Sequence, residues 1–218
     1  MKNIIKQNIR KVAIGLFIFS TATSCVDLDI KPYDRLSDIQ YWEKEAAAEL
    51  ALNNCYANLT NIYEILYSDA MTDNAYCKVQ AYNQAIGNGS YASDNSYVLS
   101  VWSTKYAGIR ACNILLDNID KVKGLSTELK NRYKSEAQVI RAFFYFELYS
   151  KFGDIPYFTT TISLEESQSV PRTPKSVIVD DLLTELSTIV DNNYLPENYS
   201  GADKGRVTRY AAIALKAR

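Results

Sequence analysis

The sequence predicts an all-α fold built from paired helices, and three observations carry that prediction. Apolar residues recur at alternating three- and four-residue intervals in several long stretches, most clearly at Tyr133, Ala137, Ile140, Phe144 and Leu148. Glycine and proline fall between those stretches, where helices stop. Small residues stand where two helix backbones would cross, as at alanines 46, 47 and 48, which suggests a tetratricopeptide-like scaffold. A clean repeat of about 34 residues, the period of that architecture, is absent.

Residues 1–24 read as a lipoprotein signal peptide. Lys2, Lys6, Arg10 and Lys11 open the chain without an acid, and Val12 to Phe19 is an unbroken apolar run. That run is too short to span a bilayer, which takes about 20 such residues. Small residues from Ser20 to Ser24 lead to Cys25, although Ala22 stands where lipoprotein cleavage sites carry a large aliphatic side chain. The alternative is an ordinary secretory signal followed by a chance cysteine. On the lipoprotein reading Cys25 becomes the mature N-terminus and carries acyl chains such as palmitate, which anchor the protein to a membrane. Cleavage removes four basic and no acidic residues, so the formal charge falls from −1 to −5. No basic patch remains to follow a phosphate backbone, and nucleic acid is not an expected partner.

Residues 25–37 lack periodicity and contain Pro32, so they read as an extended tether, and 38–218 as one helical domain. A first helix is expected from Asp38 to Tyr67, with Leu52, Tyr56, Leu59, Tyr63 and Leu66 on one face. Ser68 to Ser96 is polar, rich in tyrosine and broken by Gly87 and Gly89; loops of this length commonly carry function. Ser93 and Asp94 are good N-caps for a second helix, with Val98, Trp102, Tyr106, Ile109, Asn113 and Leu116 inward and an end by Gly124. Ser126 caps a third, which stops at Gly153 and Pro156.

Arg141 lies in the middle of the aromatic face of this third helix, with no acid three or four residues away. A buried guanidinium needs a partner, expected on another helix near Asn113 or Asp117. The alternative is a head that reaches solvent over an apolar stem. Thr173 and Pro174 are expected to cap and open a fourth helix, whose apolar face is Ile178, Leu182, Leu186, Ile189 and Val190. Leu195 to Arg206 is turn-rich. A fifth helix starts at Val207 and reaches Arg218 without a stop signal, leaving an alanine-rich face that expects a partner helix.

The chain holds no histidine, which removes the commonest general base, histidine-assisted nucleophiles and most zinc sites. Its 25 acids include enough carboxylates for a glycosidase. However, Glu165–Glu166 and Asp180–Asp181 read as solvated charges, and no acid sits in an apolar setting that would raise its pKa. An enzyme is not expected, and no cofactor is implied. Cys55, Cys77 and Cys112 remain after cleavage and allow at most one disulfide. Cys55 and Cys112 fall in helical patterns as small hydrophobes, and no disulfide is expected.

Seventeen tyrosines and two tryptophans offer flat faces on which sugar rings pack. Trp42 and Trp102 share helical spacing with other apolar residues and are assigned to the core rather than to sugar platforms. The loop offers Asp69 and Asn83 and a candidate ligand-binding set of Asp73, Asn74, Tyr76, Tyr82 and Tyr91, combining acceptors and donors for hydroxyls with aromatic faces. The alternative is a solvated loop whose tyrosines pack on the scaffold.

The run EAQVIRAFFYFELYSKFGDIPY, the later VPRTPKSVIVDDLL and the terminal GRVTRYAAIALKAR resemble consecutive signatures of the SusD/RagB family, the glycan-capturing outer-membrane lipoproteins of Bacteroidetes. Upstream, CVDLDIKP, the Tyr41–Trp42 pair, the Asn53-x-x-Tyr56 spacing and SVWSTKYAGIRACNILLDNI fit the same family in the same order. The resemblance covers nearly the whole chain. It implies tetratricopeptide-like helix pairs supporting an irregular ligand-binding portion, in a SusD-like fold truncated at the C-terminus. It also implies a non-catalytic role: a surface-exposed outer-membrane lipoprotein that captures oligosaccharide or another nutrient and lids a SusC-like TonB-dependent transporter. Part of the glycan site in such proteins comes from the loop between the first two helices. Asp27 and Asp29 resemble the acidic signal that sends these lipoproteins to the surface. The alternative is a helical interaction module, or a piece of a longer SusD-like protein, that docks a partner without binding a nutrient.

Overall fold

The computed structural model describes residues 41–218 apart from 61, 77 and 79–81, and the side chains of Ile62, Tyr82 and Asn83 also lie outside the description. The signal peptide, Cys25, the tether and Cys77 therefore fall outside the described residues. The elements are α1 (Glu45–Ala57), α2 (Ile62–Ser68), α3 (Tyr82–Gly87), α4 (Ser96–Asn118), α5 (Thr127–Phe152), β1 (Ile155–Pro156), α6 (Leu164–Ser167), β2 (Arg172–Thr173), α7 (Lys175–Asp191) and α8 (Arg209–Ala217). The fold is mostly helical, as expected, with β1 and β2 forming a short antiparallel ribbon.

The centre is the antiparallel pair α4–α5, whose short connection leaves no other arrangement. Ser126 starts α5 by accepting a hydrogen bond from the Leu129 amide at 3.1 Å. Gly153 ends it at φ 71°, a left-handed backbone angle that glycine adopts without a Cβ clash. α1 packs on both helices, α7 packs on α5, and α8 packs on α7. Leu52, Ile109, Leu115, Phe144, Tyr145, Leu148, Ile155 and Ile178 are wholly buried between them. Trp42 belongs to this core, and Cys55 and Cys112 sit in it as free thiols.

Gly108 lets α4 and α5 approach closely, since a Cβ built there would lie 2.4 Å from the Phe144 ring. The ring is itself enclosed and has nowhere to go. Gly108→Ala is expected to lower stability by about 1–3 kcal/mol, the usual cost of overpacking. A urea midpoint unchanged from wild type would show that the crossing opens freely.

The expected first helix is interrupted. α1 ends at Ala57, and the Asn58 side chain donates to the Asn54 carbonyl at 2.8 Å, a local bond that competes with helix continuation. Thr60 is then drawn inward: its hydroxyl accepts from Lys105 Nζ and donates to Glu147 Oε2 at 3.3 Å. Beyond the break the helix turns a different face, so Tyr63 and Leu66 are 69% and 65% exposed instead of buried. The buried face of α1 is Ala47, Ala48, Leu52 and Cys55. The expected loop from Ser68 to Ser96 contains α3 and a 3-10 turn at Asp69–Met71.

Other boundaries shift for identifiable reasons. α4 is capped by Asn95, whose Oδ1 accepts from the Tyr97 amide at 3.0 Å, rather than by Ser93 or Asp94. Its fully buried face includes Val101, Lys105, Gly108, Ile109, Cys112 and Leu115, while Val98, Trp102, Tyr106 and Leu116 are only half-buried. α7 begins one residue later than expected, with Thr173 in β2 and Pro174 at the N-cap. Proline has no side-chain acceptor, and the capping acceptor comes from outside: Asp154 Oδ1 takes the Lys175 amide at 2.9 Å. In α8, Thr208 caps Ala211 and Ala212 is buried, while Tyr210 and Ile213 remain exposed.

Candidate functional site: an aromatic cleft beside α4

Trp102 and Tyr106 are four residues apart on α4 and so share a face. Chain 155–170 returns along this face and is fastened to it. Tyr106 donates its hydroxyl to the Pro156 carbonyl at 2.7 Å, and its ring stacks on Phe158 with centroids 5.9 Å apart and planes at 21°. Trp102 meets Phe152 edge-on at 5.1 Å. Further along, Asn113 donates to the Thr160 carbonyl at 2.9 Å, and Asp117 accepts from the Thr161 amide and hydroxyl at 2.8 and 2.6 Å. Arg110 Nη1 donates to the Ile162 carbonyl at 3.2 Å. After these four attachments a capping box starts α6: Ser163 Oγ accepts the Glu166 amide and Glu166 accepts the Ser163 amide.

A second layer supports the same segment from below. Arg141 is 3% exposed. Its Nη1 donates to Asn113 Oδ1 and to the Thr159 carbonyl, each at 2.7 Å, and its Nη2 donates to Glu185 Oε1 at 2.6 Å. Asn113, an expected partner, is thus confirmed. Asp117 turns instead to Thr161. Tyr145 donates to the Phe158 carbonyl at 2.6 Å and accepts the Phe158 amide at 3.1 Å. Burial pushes the Tyr145 and Tyr106 phenols well above their ordinary pKa, with the Phe158 contact and Arg172 respectively opposing. Burial, reinforced by Glu185, pushes Tyr157 up to about 12. The hydroxyls of Tyr106 and Tyr145 therefore stay protonated and act as fixed donors.

The product is an open cleft of about 670 Å³, lined by Trp102, Tyr106, Phe158, Ile162, Leu164 and Val170 together with Arg110 and several hydroxyl residues. This volume falls within the range of small-ligand sites. Most polar atoms of the cleft are already committed: Thr161, Ser163 and Ser167 bond within the chain. What it presents outward is aromatic surface, the Arg110 guanidinium and the Thr160 hydroxyl. None of its described lining residues is a carboxylate, so it offers a ligand flat apolar contact and donors rather than an acid–base pair.

Of the residues singled out in the loop, none whose side chain is described lines this cleft. Asp73, Asn74 and Tyr76 follow the 3-10 turn and are exposed, Tyr76 at 82%. Asn74 donates its amide to Thr72 Oγ1 at 3.2 Å. Tyr82 opens α3, with its side chain outside the description, and Tyr91 lies exposed between α3 and α4. Gly87 brings α3 close to the 3-10 turn, a Cβ there meeting the Ala70 carbonyl at 3.0 Å. Trp102 packs against the core as expected, yet it is only partly covered and so also lines the cleft. The Ser163-x-x-Glu166 box was a readable signal that this connection carries structure.

Comparisons with known proteins agree on one family. The SusD-like family model described as "Starch-binding associating with outer membrane" matches residues 28–218. A curated SusD-like protein of Formosa agariphila is 25% identical over 227 residues, covering 96% of this chain and 42% of that relative. Among solved structures, a SusD-like carbohydrate-binding protein of Bacteroides fragilis superimposes with TM-score 0.72 and 27% identity, over 82% of this chain and 37% of that one. Surface glycan-binding protein A of Bacteroides thetaiotaomicron, in complex with laminarihexaose, shares the fold at TM-score 0.64 and 19% identity, over 80% of this chain and 38% of its own. The chain thus spans about two fifths of the relatives it matches.

Proposed function

Because this chain belongs to the SusD-like family, we propose that it captures an oligosaccharide at the cell surface and passes it to a SusC-like TonB-dependent transporter in the outer membrane. The observation that carries this reading is the cleft beside α4. Sugar rings present flat C–H faces, and Trp102 offers a half-covered aromatic face to receive them. The wall opposite is held by hydrogen bonds with six α4 and α5 side chains, so little ordering is left to be lost on binding. Laminarihexaose on a neighbour of the same fold supports the ligand class. The mechanism is non-catalytic: the bound ligand holds the protein as a lid over the transporter, which supplies the energy.

In the same reading residues 1–24 are a signal peptide, and Cys25 carries the lipid that anchors the protein at the membrane. Asp73, Asn74, Tyr76, Tyr82 and Tyr91 form a second contact, reaching the ligand from the exposed loop. Isothermal titration with maltohexaose and laminarihexaose tests the proposal. Trp102→Ala is expected to weaken binding at least about tenfold, roughly 1.4 kcal/mol. Flat heats with these two and with a wider panel of neutral and charged oligosaccharides would refute the reading. Wild-type affinity in Trp102→Ala, with loss in Tyr76→Ala or Tyr91→Ala, would move the site to the loop.

A further inference from the structure

The cleft carries charge as well as aromatic surface. Arg110 lines it and spends one donor, Nη1, on the Ile162 carbonyl. A guanidinium has five N–H donors in a fixed fork, so this bond orients the group and leaves most of its donors uncommitted. Among the described residues Arg110 joins no salt bridge, in contrast to Arg132, Arg141, Arg206 and Arg209, each of which meets a carboxylate. Nearby acids are already engaged: Asp117 holds Thr161 and Glu166 holds the start of α6. A second cation stands at the other end. Arg172 pairs with Pro156 in the ribbon, and Pro156 accepts the Tyr106 hydroxyl. Arg172 also joins no salt bridge among the described residues and donates to the Asp154 carbonyl at 3.3 Å. The chain is net acidic, yet this cleft is flanked by two arginines and lined by no described carboxylate.

We infer that the cleft selects an oligosaccharide bearing an anionic substituent, a uronate carboxylate or a sulfate ester, which Arg110 binds while the sugar rings lie on Trp102. This rests on the oligosaccharide reading above and adds the charge of the ligand to it. Arginine suits the task because its fork matches two oxygens of a carboxylate or sulfate at once. Arg110 is exposed at the cleft, so the pair has the modest, salt-sensitive strength of a surface contact, and its bidentate geometry supplies the selectivity.

Titration with ligands that differ only in charge decides the matter. One pair is hexagalacturonate and its methyl ester, and the other is sulfated and unsulfated laminarihexaose. The charged member of at least one pair is expected to bind about two- to fivefold tighter at low ionic strength, with the advantage shrinking in high salt. The pair that shows it identifies the substituent. Arg110→Gln keeps a donor for the Ile162 carbonyl and is expected to bring the two members to equal affinity. Equal affinities in the wild type, or a preference that survives Arg110→Gln, overturn this inference alone. Failure of every glycan, charged and neutral, overturns the oligosaccharide reading and this inference with it.

Discussion

Arg141→Leu is expected to lower the unfolding free energy by about 3–5 kcal/mol, the cost of removing one partner from a buried charge pair. Three groups lose the Arg141 donor at once: the Glu185 carboxylate, the Asn113 amide oxygen and the Thr159 carbonyl. Glu185 keeps Gln138, which donates to the same oxygen at 2.9 Å, and its side chain is 19% exposed. Both facts place the loss toward the lower end of that range. A domain holds about 5–15 kcal/mol in all, so the variant stands near its unfolding threshold. Arg141→Leu combined with Glu185→Leu is expected to recover part of the loss, because no unpaired carboxylate then remains. Urea midpoints of the two single variants and the double variant measure this. A single-variant loss under about 1 kcal/mol would show that the guanidinium is not the support of the cleft wall.

Glu136→Leu is expected to cost about as much, again about 3–5 kcal/mol, through a different part of the molecule. Glu136 on α5 is wholly buried, with Oε2 accepting from Tyr56 at 2.6 Å and Oε1 from Tyr199 at 3.0 Å. Arg132 and Arg206 approach it at 3.2 and 3.4 Å, and both also pair with Asp203. The Tyr56 oxygen in turn accepts the Val207 amide at 2.8 Å. One carboxylate therefore ties α1, α5 and chain 199–207 together ahead of α8. Hydrogen exchange at the Val207 amide is the local readout, expected to accelerate strongly in Glu136→Leu and mildly in Glu136→Gln. Unchanged protection in the leucine variant would mean that apolar contacts alone hold this chain in place.

The parts of this fold legible in the sequence are those decided by local chemistry. Ser126, Gly153 and the spacing of Ile178, Leu182, Leu186 and Ile189 mark α5 and α7 because caps and amphipathic faces are written within a few residues. That Arg141 needs a partner was legible too, since burial of its helix face followed from the pattern, and Asn113 was among the places to look. Glu185 was not, because an acid on the flank of an amphipathic helix looks solvated until the third helix is packed against the fourth. The break after Ala57 was hidden for a like reason: the Lys105 and Glu147 side chains that draw Thr60 inward lie 45 and 87 residues away. The cleft itself was invisible as a site. Trp102 and Tyr106 have core spacing, and only the return of chain 155–170 leaves part of their faces uncovered.

The ribbon that closes this return has a consequence for how the protein diversifies. β1 and β2 bring Ile155 opposite Thr173, and Asp154 holds the first amide of α7, so the excursion 157–171 leaves and rejoins the scaffold at one clamped neck and is fastened to α4 and α5 along 158–162 before its tip. Changes in its length are absorbed at the tip. Doubling a flexible loop adds only about 0.6 kcal/mol of closure entropy, and neither α5 nor α7 has to move to accommodate it. The wall of the cleft is thereby a replaceable cassette: residues about 164–169 can be lengthened or exchanged to reshape what is held against α4, while the helices that carry the fold keep their register.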